Sequence, residues 1–477
     1  MSESYVSNID VDEIRDGFLV SARRKSIWNK EIEIMLEFDR ICKKHNIQWF
    51  TYAGTTLGAI RHEGFIPWDD DIDVVLLRPD YEKFKEVVQN ELKEGYFFQS
   101  IYTDEQIFTF SKLMDERTSA VDLTKKKDTH QGIFIDIFPL DIVASWNKDD
   151  DDENLQNLLT ASDELLATIV LPNGLVEEIN VKGYEPVIGI NNVVALLKMT
   201  VRERCYNYEK YLLQHYSATD NIGFHGLYAN NHYPTRKKNW YRNVVMMPFE
   251  NIQVPVPNGY EDDMNINFGP NWRKKIKGRS LHNGILLNPD IPYTKLQSII
   301  QKYIDEKTSI LGIHRQDRIN ALLDGISPLT LDEKYKLEVP KDWVNLIKKA
   351  DGSNKKVVLF HNNIAGLLCR EDEMLEKYKY ILKSFKDKRD DICLLWWPSP
   401  LIEAALKATA PDLWKKYDDL VSKFCSEGWG IYDTSLDLEK AVTLCNEYYG
   451  DDSNMVPLLR KYKKPVKIQN PENFNEL

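Results

Sequence analysis

The sequence predicts an α/β protein in two parts: an α+β core with a mixed sheet and helical insertions, then a domain built on a parallel sheet. Three observations carry this. The carboxylate-rich run Pro67-Trp68-Asp69-Asp70-Asp71-Ile72-Asp73 passes straight into Val74-Val75-Leu76-Leu77, which reads as a buried strand. A turn signal, Asp351-Gly352-Ser353-Asn354, marks a change of character. After it, short apolar runs alternate with amphipathic helical patterns, the arrangement of parallel strands joined by helical crossovers. At 477 residues the chain exceeds what one core usually fills. The expected boundaries are 1–300 for the first domain, with a helical insertion at about 145–220, then 301–352 for a helical linker and 353–477 for the second domain.

Residues 24–46 read as an amphipathic helix, with Ile27, Ile34, Phe38 and Ile41 on one stripe. A strand from Gln48 to Ala53 leads into Gly54-Thr55-Thr56-Leu57-Gly58, and a helix follows through Ile60. The strand 72–77 ends at Arg78-Pro79, and Asp80 is the expected N-cap of a helix carrying Phe84, Val87, Val88 and Leu92. Further strands are expected at 96–101, 107–114 and 132–138. The acidic block Asp149 to Glu153 suits the positive end of a helix and is assigned no chemistry. Residues 193–216 read as helix. The stretch 224–250 is rich in aromatic and basic residues (Tyr228, His232, Tyr233, Arg236, Lys237, Lys238, Trp240, Tyr241, Arg242) and reads equally as a partly exposed loop or an acceptor-binding lip. From 290 to 352 the pattern is mostly helical and polar. In the second domain strands are expected at 356–361, 392–397 and 431–432, with 464–468 closing the series. Helices are expected there at 371–386, 401–408, 413–427 and 436–444.

The chemistry concentrates in the first domain. A Gly/Thr turn opening a helix lets the backbone approach a phosphate, whose charge suits free N–H groups at a helix N-terminus. Gly54, Thr55 and Thr56 are the residues expected to cradle it. Asp69, Asp71 and Asp73 share parity, so on an extended strand they would point to one side. Clustered carboxylates without Cys or His nearby suit a hard cation, Mg²⁺ or alternatively Mn²⁺. Asp71 and Asp73 are the leading direct ligands, with Asp69 and Asp70 in weaker roles. Asp136 is a lone carboxylate in the apolar run Phe134-Ile135-Asp136-Ile137-Phe138. Arg61 and His62 follow the helix and suit neutralising a leaving phosphate, fixing an acceptor, or plain surface exposure.

These residues resemble the signature of the LicD/fukutin-related phosphotransferases. The likeness is carried by Gly54 through His62 and Gly64 through Asp73, then by Gly132-Ile133-Phe134-Ile135-Asp136-Ile137-Phe138-Pro139-Leu140-Asp141. Val254-Pro255-Val256-Pro257 and Phe268-Gly269-Pro270-Asn271-Trp272 agree in order, so the likeness runs from about Ile34 to Asn288. It implies a nucleotidyltransferase-like fold that moves a phosphorylated alcohol, phosphocholine first among them, from a CDP-linked donor to a glycan or lipid-linked glycan such as a teichoic acid precursor. Such folds place a third carboxylate on a neighbouring strand, which favours Asp136 as a metal ligand or the acceptor of a hydroxyl proton over a structural Asp bonded to backbone N–H groups. The resemblance also assigns Lys112 and Arg117 to the donor phosphates, with Arg279 and His282 as further candidates. Phosphoglycerol or phosphoribitol transfer, and true nucleotidyl transfer, are the competing chemistries; a non-catalytic scaffold is disfavoured by the three carboxylates.

The second domain is similar, more loosely, to half of a GT-B enzyme of the CDP-glycerol glycerophosphotransferase type. Leu395-Trp396-Trp397-Pro398-Ser399-Pro400, Tyr449-Gly450-Asp451-Asp452-Ser453-Asn454 and Lys464-Pro465-Val466 carry that likeness. Trp397 and Ser399 stand where a basic residue and a His are usual, which implies a degenerate binding or dimerisation module. The net charge of −12 argues against nucleic acid and against an anionic membrane surface. Six cysteines lack metal-ligand spacing and read as buried free thiols. With a polar N-terminus and no long apolar run, the expectation is a cytoplasmic protein, working at the inner membrane face on a lipid-linked acceptor.

Overall fold

The computed structural model of the chain describes residues 4–104, 109–122, 129–144, 152–170, 186–225, 234–276, 285–309, 337–435, 437–453 and 455–469. The chain forms two units: Met1–Thr118 with Asp128–Arg279, and Ser119–Lys127 with Ser280–Leu477.

The first unit opens with a hairpin of β1 (Glu13–Arg15) and β2 (Phe18–Val20), then the long helix α1 (Ala22–Lys44). Ser21 caps α1 by accepting from the Arg24 N–H, and Lys43 and Lys44 favour its negative end. Next come β3 (Phe50–Thr51), α2 (Ala53–His62), β4 (Asp73–Leu77), α3 (Arg78–Glu91), β5 (Tyr96–Gln99) and β6 (Ser111–Asp115). The expected cap at Asp80 is corrected: α3 begins at Arg78 with Pro79 in its first turn, where a missing N–H costs nothing. β7 (Ser119–Asp122) belongs to the second unit and was not foreseen.

β8 (Ile133–Ile142) is the spine of the seven-stranded mixed sheet. It pairs in parallel with β4, whose other edge carries β3, and antiparallel with β6, which in turn carries β5. Its far end pairs with β9 (Asn221–Gly223), followed by β10 (Arg236–Lys237). The insertion is helical, with α4 (Glu153–Val170), α5 (Ile190–Leu197) and α6 (Val201–His215). The expected single helix over 193–216 is split by a capping box, Thr200 and Glu203 satisfying each other's backbone N–H groups. Asp152 accepts from the Leu155 N–H at the start of α4, while Asp149 to Asp151 lie outside the described residues. The unit closes with a hairpin of β11 (Val244–Phe249) and β12 (Ile252–Pro257), then α7 (Tyr260–Phe268).

In the basic stretch 224–250, three described side chains are held by the fold. Arg236 is buried and bonds Asp263 and Asn267, Lys237 donates to Asn221, and Lys238 donates to backbone carbonyls. Tyr228, His232 and Tyr233 lie outside the described residues.

The second unit has its own hairpin, β7 with β13 (Ile285–Asn288), and the helix α8 (Tyr293–Ser309). Its five-stranded sheet is wholly parallel, with β14 (Lys356–Asn362) central, β15 (Ile392–Pro398) and β16 (Ile431–Tyr432) to one side, and β17 (Glu447–Gly450) and β18 (Val466–Ile468) to the other. That is the doubly wound strand order of Rossmann-type sheets. Of the cysteines described, Cys425 is exposed and Cys42, Cys205, Cys393 and Cys445 are buried, all free.

A buried ion pair ties α3 to β8 of the sheet. Arg78 donates through Nε and Nη2 to both oxygens of Asp141 at 2.6 and 2.5 Å, with both side chains 1% exposed. Removing one partner leaves the other charge buried. Asp141→Ala is therefore expected to destabilise the protein by about 3–5 kcal/mol, read as a lowered denaturant midpoint at unchanged slope.

Candidate functional site

Parallel pairing of β4 and β8 sets Asp73 beside Asp136, and antiparallel pairing sets Asp136 opposite Lys112 of β6. Residues directly opposed on neighbouring strands project to the same face, so the three make one row across the sheet. Lys112 Nζ donates to Asp136 Oδ1 at 2.5 Å with both side chains buried, and stands 3.4 Å from the centroid of the Phe134 ring. Burial pushes the Asp73 carboxyl well above the ordinary carboxylate range. The negative charges of Asp71, Asp136 and Asp69 push the same way, and Lys112 opposes them.

The parity expected of Asp69, Asp71 and Asp73 does not hold, because the strand ladder starts only at Asp73. In the irregular segment before it, Asp69, Asp70 and Asp71 are half-buried and bring one oxygen each within 4.8 Å of one another. Two side chains of α1 anchor this segment: Arg24 Nη1 and Trp28 Nε1 both donate to the Asp69 carbonyl, at 3.0 and 3.2 Å. Glu31 follows on the same face of α1. It is 2% exposed, and its Oε2 has no hydrogen-bond partner among the described residues. Burial raises its carboxyl well above the usual range; Asp71, Asp70 and Asp69 add to that and Arg24 opposes it.

Oxygen-only donors of this number suit Mg²⁺ or Mn²⁺. A buried carboxylate oxygen left without a partner among further carboxylates is also what a divalent cation would satisfy. On both counts the residues present fit such an ion.

The Gly/Thr turn also makes contacts within the fold. A Cβ on Gly54 would fall 2.7 Å from Asp69 Oδ2, so this glycine makes room for a carboxylate. A Cβ on Gly58 would meet the Gly64 carbonyl at 2.5 Å, so that glycine serves close packing. Thr55 Oγ1 accepts from the Asp73 N–H at 2.8 Å, fixing the start of β4, and the buried Thr56 hydroxyl donates to Thr51 Oγ1 at 2.9 Å.

Arg61 straps a neighbouring loop, donating to the carbonyls of Trp272 and Lys274 at 3.1 and 2.8 Å. His62, with its ring pushed down to about 4 chiefly by burial, bonds Asp16. Arg117 is paired with Asp115 at 2.7 Å, beyond the C-terminal end of β6. Lys112 lies three residues before Asp115, about 10 Å along the strand, so Lys112 joins the carboxylate row and Arg117 stays with Asp115. Arg279 and His282 lie outside the described residues.

Sequence reasoning passed over Arg24, Trp28 and Glu31. The signal was present: Glu31 sits among Ile27, Ile34, Phe38 and Ile41 on the apolar stripe of α1, where a carboxylate has no packing reason to be.

Residues 46–160, which contain this row and the acidic segment, match the family described as LicD/FKTN/FKRP, nucleotidyltransferase domain. The chain carries a LicD-type nucleotidyltransferase domain. Over 123 residues it is 37% identical to the lipopolysaccharide cholinephosphotransferase LicD of Haemophilus influenzae, covering 24% of this chain and 44% of that protein. Uncharacterised proteins of Rickettsia typhi and Rickettsia prowazekii are 34% and 33% identical over 64 residues, 13% of this chain and 21% and 24% of theirs. The chain thus matches less than half the length of these curated relatives.

Outside the LicD-type domain, the second unit holds a cavity of about 260 Å³ at the carboxyl ends of β15 and β16. Tyr303, Trp414, Tyr417 and Tyr432 supply aromatic walls, and Glu403 and Asp418 supply carboxylates. Trp397 is buried, and its carbonyl is bonded by His361 Nδ1 at 2.8 Å. No helix among the described residues is long and apolar enough to cross a membrane.

The raised Asp73 carboxyl has a consequence for stability. A folded-state value above the ordinary 3.8 means that the protonated form is favoured on folding. The contribution is therefore complete below that ordinary value and is lost as pH rises through the raised one. In chelator, the part of the wild-type melting temperature that depends on Asp73 should fall as pH rises from about 4 towards neutrality, read as the difference from Asp73→Asn. Asp73→Asn should fall less over that window and should melt higher at neutral pH.

Proposed function

We propose that the LicD-type domain transfers a phospho-alcohol, phosphocholine first among the candidates, from a CDP-linked donor to a hydroxyl of a cell-surface glycan precursor. The observation that carries this reading is the row Asp73–Asp136–Lys112 with Asp69, Asp70 and Asp71 beside it, inside a domain whose curated relative is a lipopolysaccharide cholinephosphotransferase. In the reaction the acceptor oxygen attacks the phosphorus that carries the alcohol. The bond from that phosphorus to the bridging oxygen breaks, CMP leaves, and the hydroxyl proton passes by way of a carboxylate, Asp136 in this reading, to solvent.

Such a transfer asks the protein mostly for positioning and charge neutralisation. Asp71, Asp73 and Asp136 would hold a divalent ion, which when bound neutralises diphosphate charge. Lys112 keeps Asp136 oriented in the row and adds the positive charge nearest to it. Thr55 positions Asp73 through its N–H, and Gly54 lets Asp69 approach α2. The second unit is proposed as a binding module, since its cavity is aromatic and acidic, and the reaction is placed in the cytoplasm at the inner membrane face.

Purified protein with Mg²⁺, extracted glycan and CDP-choline, CDP-glycerol or CDP-ribitol should release CMP from one donor. Asp73→Ala should lower that rate a hundredfold or more, about 3 kcal/mol of transition-state stabilisation. Pyrophosphate release from a nucleoside triphosphate in place of CMP would identify nucleotidyl transfer and overturn the reading. Lys112→Met should fold and bind donor but turn over about tenfold to a hundredfold more slowly, as loss of a charge-neutralising contact predicts.

A further inference from the structure

The cavity of the second unit takes no part in the proposed phosphotransfer. It lies at the carboxyl ends of β15 and β16, the end of a parallel sheet outside which α/β proteins take their ligands. The strand order reverses elsewhere, between β14 and β17, so the cavity is set apart from the crevice where a dinucleotide would sit. Its volume is about 260 Å³. Small-molecule sites begin at roughly 300 Å³, so a compact ligand is the one that fits.

The walls are fixed from behind. Trp396, wholly buried in β15, stands edge-to-face with Tyr417 and Tyr432, ring centroids 6.0 and 5.1 Å away. Asn362 accepts from Trp396 Nε1 at 2.7 Å and donates to the Tyr417 hydroxyl at 3.3 Å. Along the helix Pro411–Glu427, Trp414, Tyr417 and Asp418 are spaced i, i+3, i+4, so one face brings two rings and a carboxylate to the cavity. The helix Ile402–Thr409 adds Glu403, whose Oε2 accepts from the Tyr303 hydroxyl at 3.4 Å. Rings held in place before binding lose little freedom when a ligand arrives.

Four aromatic rings and two carboxylates line this space, and none of its described lining residues is Lys, Arg or His. A phosphate or any other anion would go unneutralised there and be repelled. A cation, by contrast, is attracted to an aromatic face, and a neighbouring carboxylate strengthens the attraction. The fold shows this pairing once beside the cavity: Lys407 Nζ lies 5.1 Å from the centroid of the Trp414 ring and donates to Glu403 Oε1 at 2.9 Å.

We propose that the cavity binds a substituted ammonium group, an organic cation whose alkyl surface packs on Trp414, Tyr417 and Tyr432 while Glu403 and Asp418 balance its charge. A bare metal ion would have no use for the rings, and a neutral apolar ligand none for the carboxylates. This inference rests on the reading of the second unit as a binding module and gives that module its ligand class. It draws nothing from the phosphotransfer assigned to the LicD-type domain.

The test is isothermal titration calorimetry of the full chain with choline as the probe, beside dimethylbutanol, its isostere with carbon in place of the charged nitrogen. Choline should bind, and the isostere should bind about tenfold more weakly or worse. Trp414→Leu should weaken choline by about tenfold, the loss expected of one desolvated cation–π contact. Asp418→Asn should weaken it by about fivefold, as removal of one charge in a water-like dielectric predicts. Asp418 is exposed, so this variant covers the case in which Trp414→Leu does not fold. Glycerophosphocholine, which joins the same ammonium to a phosphodiester, separates the sources: tighter binding of choline assigns the site to a free amine, tighter binding of the diester to a head group.

Equal binding of choline and dimethylbutanol would overturn the ammonium assignment and leave the second unit a module for neutral ligands. Absence of choline binding would overturn it too. So would choline binding that is lost in Asp73→Ala but intact in both cavity variants, since the cation would then sit in the LicD-type domain. CMP release is measured separately, so the phosphotransfer stands or falls without reference to this site.

Discussion

The register of β4 against β8 is the constraint on which the site depends. Asp73 pairs with Asp136, and slipping that pairing by one residue would turn one of the two carboxylates to the opposite face. The register is defended on several sides. Val74, Val75 and Leu76 are fully buried, as are Ile135 and Ile137, so a slip would bring polar groups into the core. Thr55 holds the first N–H of β4, and the Tyr52 N–H is bonded to the Asp73 carbonyl. Antiparallel β6 then adds Lys112 to the same row. Two carboxylates side by side in a buried sheet repel each other, and the Lys112 charge on Asp136 together with the surrounding packing opposes that repulsion.

Below that row the fold manages a surplus of negative charge. Asp69, Asp70 and Asp71 are gathered by an irregular segment rather than spread along a strand, and α1 holds the segment by its backbone, through Arg24 and Trp28. Strain of this sort is expected where function outranks stability.

Much of this was legible in the chain. Strands at 72–77, 132–138, 356–361 and 392–397 were visible because fully buried strands read as continuous apolar runs, and the structure places them at Asp73–Leu77, Ile133–Ile142, Lys356–Asn362 and Ile392–Pro398. The acidic segment and Asp136 stood out as carboxylates against hydrophobic neighbours. What could not be read was long-range. Nothing local in Lys112 distinguishes it from Arg117, yet antiparallel register brings one to Asp136 while a turn leaves the other on Asp115. Glu31 is separated from Asp69 by most of α1, β3 and α2, so only the folded chain joins them. The hairpin of β11 and β12 and the pairing of β7 were likewise hidden, since their partners lie far along the sequence or in short, proline-bearing strands.

β7 also bears on how the protein can be made. It lies within the first half of the sequence, but its partner is β13, and Val121 shares a core with Leu286, Leu296, Ile300, Phe360 and Trp396. On the ribosome this strand emerges long before anything it can pair with, so its open edge must wait while the sheet around β8 assembles on either side of it in sequence. The two units are thus interleaved in the order of synthesis. No single scission of the chain yields both of them whole, and a fragment ending before β14 would display the apolar side of a hairpin and a helix with no sheet to cover them.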